Sequence, residues 1–200
     1  TLADYKRNPT LTYHMSGELE KNLGTFPERM ASHQAEGDEV WWYVTRRPSN
    51  PEITLTMETQ ALKYRILFWQ QKLYNVDNFL YYLSNDWFVK DDDMGWNSKH
   101  EDNAEFNVYG NGVLIYCGAY KDIYGPVGSL RLECVRDGIE DFEYLAILEK
   151  HYGKETVDNI ISRITTSLGK YTTDEEVFTE VKVALGNLVE KTLKDGVISK

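Results

Sequence analysis

Asp38 and Glu39 are neighbours, and adjacent carboxylates are the residue types that general acid and base work requires. They stand at the head of the run Glu-Val-Trp-Trp-Tyr-Val-Thr at 39–45, which reads as a strand. In a parallel α/β barrel the chemistry lies beyond the opposite, C-terminal ends of the strands, so the pair is read as structural. Asp91, Asp92 and Asp93 before Gly95 echo a calcium loop. The glycine offset and the final acidic ligand do not fit that template, and a solvated charge run explains them better. His14, His33, His100 and His151 are scattered, with no metal-ligand spacing and no serine or cysteine partner. No metal site and no cofactor are expected. Glu140, Asp141 and Glu143 fall mid-helix, where Arg136 and local helix pairing account for them. Gly110-Asn111-Gly112 is a turn, since no glycine-rich fingerprint opens a helix there.

The elements that position these residues alternate in type. The run at 39–45 lacks strict alternation, as expected of a strand covered on both faces. Leu62, Ile66, Trp69 and Leu73 stripe one face of a helix over 56–74. Residues 78–83 and 113–117 read as two more short strands, separated by a polar, acidic segment of a length that is usually functional or mobile. Leu132, Val135, Ile139, Phe142 and Ala146 mark the apolar side of a helix beginning near Ser129, and Arg131, Arg136, Asp137, Glu140, Asp141 and Glu143 lie on its other side. Val157, Ile160, Ile161, Ile164 and Leu168 mark another, ended by Gly169. Val177, Val181, Leu185 and Leu188 mark the last, with Thr173 and Glu176 at capping-box spacing. A strand at 10–15 and a helix at 27–35 precede them all.

Strand, helix, strand, loop, strand, helix is the order of parallel βαβ units. The expected fold is α/β, the C-terminal portion of a (β/α)8 TIM-type barrel over residues 1–150, followed by a C-terminal helical extension, 151–200, packed on the barrel. A whole barrel takes about 250 residues, and this chain has 200. A missing N-terminal half of the barrel is therefore an expected partner.

Composition narrows the function classes. With 42% hydrophobic and 27% charged residues the chain can bury a sizeable core. Its net charge of -10 repels polyanions, which argues against nucleic acid or an anionic membrane as partner. No apolar run approaches the roughly 18 residues of a membrane span, and the N-terminus lacks a signal-peptide pattern. A soluble chain is expected, with cytoplasmic and secreted locations both open. Cys117 and Cys134 fall inside regular elements and read as buried thiols. The 14 Tyr and 5 Trp supply either core or a sugar-stacking surface.

Gly37 through Val44, then Ile66-Leu67-Phe68-Trp69-Gln70, then Phe79-Leu80-Tyr81-Tyr82 with Asn85 and Trp87, resemble successive segments of the glycoside hydrolase family 123 catalytic domain. Gly125-Pro126-Val127-Gly128-Ser129-Leu130-Arg131-Leu132-Glu133, continued by Arg136-Asp137-Gly138-Ile139-Glu140-Asp141-Phe142-Glu143-Tyr144-Leu145, looks like that family's last barrel helix, also classed as domain-of-unknown-function family 4091. The ordered match runs over 37–148. The resemblance implies a retaining β-N-acetylgalactosaminidase, in which the 2-acetamido oxygen of the sugar attacks the anomeric carbon. It also implies an Asp–Glu pair at the end of an earlier strand, so this chain is expected to hold no catalytic carboxylate of its own.

With a glycan or another N-acetylhexosamine-containing substrate in view, the strand ends supply the binding candidates. Asn85 and Trp87 follow the second strand, where an amide can bind sugar hydroxyls and an indole can stack on a pyranose. Tyr116 ends the third strand and either hydrogen-bonds a sugar or closes the barrel top. Trp41 and Tyr43 share strand parity with Thr45 and are assigned to the barrel interior, with Trp42 toward the helices. Arg131, in the first turn after the last strand, either binds substrate or braces a carboxylate. Three function classes remain: the C-terminal part of a glycosidase, a non-catalytic carbohydrate-binding barrel, and, ranked last, a docking role for the exposed faces of the terminal helices toward another domain or subunit.

Overall fold

The computed structural model describes residues 26–45, 50–81, 83–86 and 109–195. The chain divides into two compact units whose segments interleave in sequence. The expected strand at 10–15, the Asp91–Asp93 run, His14, His100, Tyr82 and Trp87 lie outside the described residues.

The first unit carries helix α1 (Phe26–Ala35), strands β1 (Trp41–Val44) and β2 (Asn78–Tyr81), and strands β3 (Ile115–Cys117) and β4 (Pro126–Gly128). β1 and β2 pair in parallel, with Trp41 opposite Asn78 and Val44 opposite Tyr81. Parallel strands need a long crossover, and here the connection contains helix α2 (Ala61–Leu73). The two strand starts are tied by a double contact: Val40 donates its N–H to Asp77 Oδ2 at 2.8 Å, and Asp77 N donates to Val40 O at 3.0 Å. Met30, Val40, Trp42, Val44, Leu55, Val76, Val113 and Leu114 form the buried core of this unit.

The third strand departs from the parallel order expected for it. β3 pairs with β4, and the segment just after β2 meets its approach through an antiparallel bridge between Asn85 and Val113. The connection from β3 to β4 is too short for a parallel crossover, so the glycine-rich stretch 125–128 turns back as a strand before the next helix begins. Among the described residues the architecture is mixed helix and strand, with no closed barrel.

The second unit is mainly helical: α2, α3 (Leu130–Tyr152), α4 (Lys154–Ser162) and α5 (Glu175–Lys194), with a small antiparallel pair, β5 (Thr165–Ser167) and β6 (Lys170–Tyr171). Ser129 caps α3, its hydroxyl accepting from Leu132 N at 3.2 Å. The buried stripe of α3 is Arg131, Val135, Gly138, Asp141, Leu145 and Leu148, rotated from the apolar side expected from the sequence; Ile139 is exposed. The rotation has a steric cause. A Cβ on Gly138 would lie 2.4 Å from the Phe68 ring and 3.2 Å from Arg65 Cα, so the missing side chain is what lets α2 and α3 approach. Helix α2 is likewise buried on more than one face, with Gln70, Gln71 and Lys72 enclosed beside Ile66 and Trp69. Gln70 Nε2 donates to Thr165 Oγ1, Ser167 O and Leu168 O, and Lys72 pairs with Glu149.

Two helix ends differ from expectation. α4 stops at Ser162, because Ile164 to Ser167 is a β-branched and hydroxyl-bearing run that enters β5, and Gly169 serves the β5–β6 turn rather than a helix end. α5 is capped by Asp174, whose Oδ1 accepts from Glu176 N at 2.9 Å and Val177 N at 3.2 Å. Thr173 takes no part in that cap, since Asp174 stands one residue nearer the helix. Among the described residues no helix is long and apolar enough to cross a membrane.

Candidate functional site

Strand parity arranges the aromatic residues of β1. Trp42 and Val44 are buried, while Trp41 and Tyr43 on the opposite face are half-buried. Trp42 points to α1, its indole N–H reaching Met30 Sδ at 3.4 Å, and its ring meets Tyr74 at 5.8 Å with a 50° tilt. Trp41 Nε1 donates to Glu39 Oε2 at 3.2 Å, which leaves both faces of the indole outside that bond. Asp38 bonds His33 through Oδ2 to Nδ1 at 2.9 Å, and its backbone N–H donates to His33 O, so it closes the end of α1.

Past the end of β2 the chain builds a polar corner. Tyr81 Oη accepts from Gly112 N at 2.8 Å, Ser84 O accepts from Leu114 N and Ile115 N, and Asp86 N donates to Gly112 O. These bonds fix residues 83–86 against 110–115 in the absence of a long ladder. Asn85 is exposed on this corner, and Tyr116, half-buried, follows in the same paired segment. Asn85 and Tyr116 thus lie on two segments bonded to each other at this corner, beside Tyr81, which the sequence did not single out. Gly110-Asn111-Gly112 is a turn, as its composition indicates.

Arg131 belongs to the helical unit, buried in the first turn of α3. The same helix carries a carboxylate whose surroundings the sequence did not reveal. Asp141 is 0% exposed and receives Arg65 Nε at 3.2 Å, Arg65 Nη2 at 2.9 Å, Trp69 Nε1 at 3.1 Å and Lys182 Nζ. Arg136 instead serves Glu133, Asp137 and Glu140 on the exposed side. The expected pairing of Asp141 with Arg136 is corrected accordingly: Asp141 bears on α2 and α5. Both oxygens of this carboxylate are engaged by donors, an arrangement suited to holding helices rather than transferring protons.

Cys117 and Cys134 form no disulfide and are half-buried, less enclosed than expected. Burial pushes the Cys134 thiol above its ordinary range, reinforced by Asp137 and Glu133 against the opposing pull of Arg65. That is the reverse of the depressed range a nucleophilic thiolate needs. Among the described residues no group of three or more His, Cys, Asp or Glu side chains is placed to hold a metal ion.

The family model of the glycoside hydrolase 123 catalytic domain matches residues 4–148. The chain belongs to that family. A family 123 glycoside hydrolase from Clostridium perfringens, studied for glycolipid glycan hydrolysis, has a solved structure that aligns with a TM-score of 0.62 and 16% identity, over 99% of this chain and 35% of that chain. At that identity the likeness speaks for the fold alone. The family 123 chain described here spans about a third of that structure's length. No curated protein matches it. The match ends four residues before α3 does, so the family's matched span takes in β1 to α3 and stops short of α4 and α5.

Proposed function

We propose that this chain is the C-terminal part of a (β/α)8-barrel glycoside hydrolase that removes terminal β-N-acetylgalactosamine with retention. The family match over 4–148 carries the reading, and its end supports dividing the chain into a catalytic-type portion, 1–150, and a helical extension, 151–200. In the substrate-assisted mechanism the acetamido oxygen of the sugar bonds to the anomeric carbon as the glycosidic bond breaks. A glutamic acid gives its proton to the leaving oxygen and then takes one from the water that opens the intermediate, while a neighbouring aspartate orients the acetamido group.

This chain contributes sugar-binding residues, Trp41, Tyr43, Asn85, Trp87, Tyr116 and Arg131, each at or just beyond a strand that the sequence marks. The acid–base pair is supplied from outside it, by the half of the barrel that completes the fold. Two local observations favour that division. Asp38–Glu39 and Asp174–Glu175 are the adjacent Asp–Glu pairs of the sequence; Asp38 is bonded to His33 ahead of β1, and Asp174 caps a helix.

The test is hydrolysis of an aryl N-acetyl-β-galactosaminide by the intact protein and by the 200-residue chain alone. Activity in the first and none in the second is the expected result. Turnover by the isolated chain would place the pair within it. Glycan binding with no turnover in either would favour a non-catalytic carbohydrate-binding barrel.

A further inference from the structure

The loop joining β3 to β4 is short, closed and aromatic. It begins with a 3-10 turn, Gly118–Lys121, followed by Asp122 in the left-handed region at φ 56°. Ile123 N donates to Gly118 O at 3.0 Å, and Asp122 N donates to Ala119 O at 3.3 Å. The two ends of the loop touch: a Cβ on Gly118 would lie 2.1 Å from Gly125 O and 2.7 Å from Ile123 O. Only glycine permits that closure, and the closure fixes what the loop presents.

It presents Tyr120, Ile123 and Tyr124 outward, and Tyr124 is 104% exposed. Lys121 Nζ stands 5.0 Å from the Tyr120 ring, beside Asp122. Large apolar groups grouped on one tight turn mark a contact surface. These are phenols interleaved with charged groups, a mixture that suits a ligand with apolar C–H faces and many hydroxyls better than it suits a purely apolar groove. The loop's own bonds hold the backbone that carries these rings, so contact need not order the turn itself. The loop leaves β3 directly after Tyr116 and Cys117, next to the corner that carries Asn85.

We infer that the loop from Gly118 to Gly125 is an accessory glycan-contacting element, in which Tyr120 and Tyr124 stack on pyranose units beyond the terminal sugar. The inference rests on the carbohydrate reading above and adds a site for the longer part of the glycan.

The experiment compares the intact protein with its Tyr120→Ala/Tyr124→Ala and Tyr120→Phe/Tyr124→Phe variants, each checked for native circular dichroism. Equilibrium binding is measured for a tetrasaccharide ending in β-N-acetylgalactosamine and for the aryl monosaccharide. The alanine pair is expected to weaken the tetrasaccharide about tenfold, and severalfold more than it weakens the monosaccharide. The phenylalanine pair, which keeps the rings, is expected to stay within about threefold of the parent. Unchanged tetrasaccharide affinity in the alanine pair overturns the inference. So does a loss of self-association or of a protein contact with glycan affinity intact, since the loop would then be a protein interface. Loop-dependent binding without hydrolysis of any glycoside upholds the loop and removes the catalytic reading; hydrolysis with loop-independent binding does the reverse.

Discussion

Arg65 and Asp141, 76 positions apart, meet as a fork: Nε and Nη2 of the guanidinium reach the same carboxylate at 3.2 and 2.9 Å. Trp69 Nε1 adds a third donor from the next turn of α2, and Lys182 adds a fourth from α5. Arg65 also lies 4.9 Å above the Phe178 ring, which packs edge-on to Trp69 at 5.7 Å. Three helices are thereby joined through one buried acid.

Asp141→Ala is expected to cost about 3 kcal/mol, because it leaves two cations and an indole N–H facing an emptied site. Lys182→Ala removes only a partly exposed partner and is expected to cost about 1 kcal/mol or less. Urea denaturation of the two variants checks the order, and equal small losses would show that the fork does not hold the helices.

Gly138→Ala inserts a methyl carbon 2.4 Å from the Phe68 ring. Overpacking of that kind is expected to cost about 1–3 kcal/mol. Phe68→Leu in the same chain should recover part of the loss, and a double-mutant cycle measures the coupling. Strict additivity would mean that the two residues do not compete for the space.

Asp174→Ala removes two capping bonds from α5 and is expected to cost about 1 kcal/mol, whereas Thr173→Ala should change stability by less than about 0.5 kcal/mol. A thermal melt of each variant decides between the caps. A larger loss from the threonine would restore the capping box that the spacing indicated.

Cys134 gives a pH dependence whose sign follows from its raised thiol. The folded chain holds that proton more tightly than the unfolded one. Its contribution is thus fully present below the unfolded thiol value of about 8.5 and is lost as pH rises through the higher folded value. Stability of the parent should decline in alkali more steeply than that of Cys134→Ser. In Cys117→Ser, alkylation of the remaining thiol at mildly alkaline pH should run slower than that of free cysteine; an equal or faster rate contradicts the burial effect.

Asn85→Ala, on the polar corner after β2, should raise KM of the intact protein for an aryl N-acetyl-β-galactosaminide about fivefold to tenfold, through loss of one hydrogen bond to sugar. Unaltered kinetics would overturn the sugar-binding role proposed for Asn85.

Much of the secondary structure was legible in single residues, and the reasons for the exceptions are physical. Trp42 and Val44 announced a buried strand, and Val181 and Leu185 announced a helix face, because burial and periodicity coincide there. On α3 they do not coincide. Its packed face carries Arg131, Gly138 and Asp141, which a hydrophobic pattern passes over, so the apolar residues pointed to the wrong side. Ile160, Ile161, Ile164 and Leu168 keep helical spacing through a hairpin, since spacing alone does not register the β-branched run that breaks the helix. The partners of Asp141 come from α2 and α5, and long-range pairing leaves no mark in local sequence. At the polar corner, Asn85 and Tyr116 were visible as strand-end residues, while the hydroxyl of Tyr81, inside the run read as a strand over 78–83, became informative only once Gly112 was seen beside it.

The interleaving of the two units sets an order of events during synthesis. Helix α2 leaves the ribosome with Phe68 and Trp69 already made, but Asp141, the carboxylate that Trp69 bonds, follows 72 residues later. At about 5–20 residues per second the wait is on the order of 4–14 s. For that interval a nascent α2 has no α3 to cover it, which leaves Phe68 and Trp69 open to a chaperone.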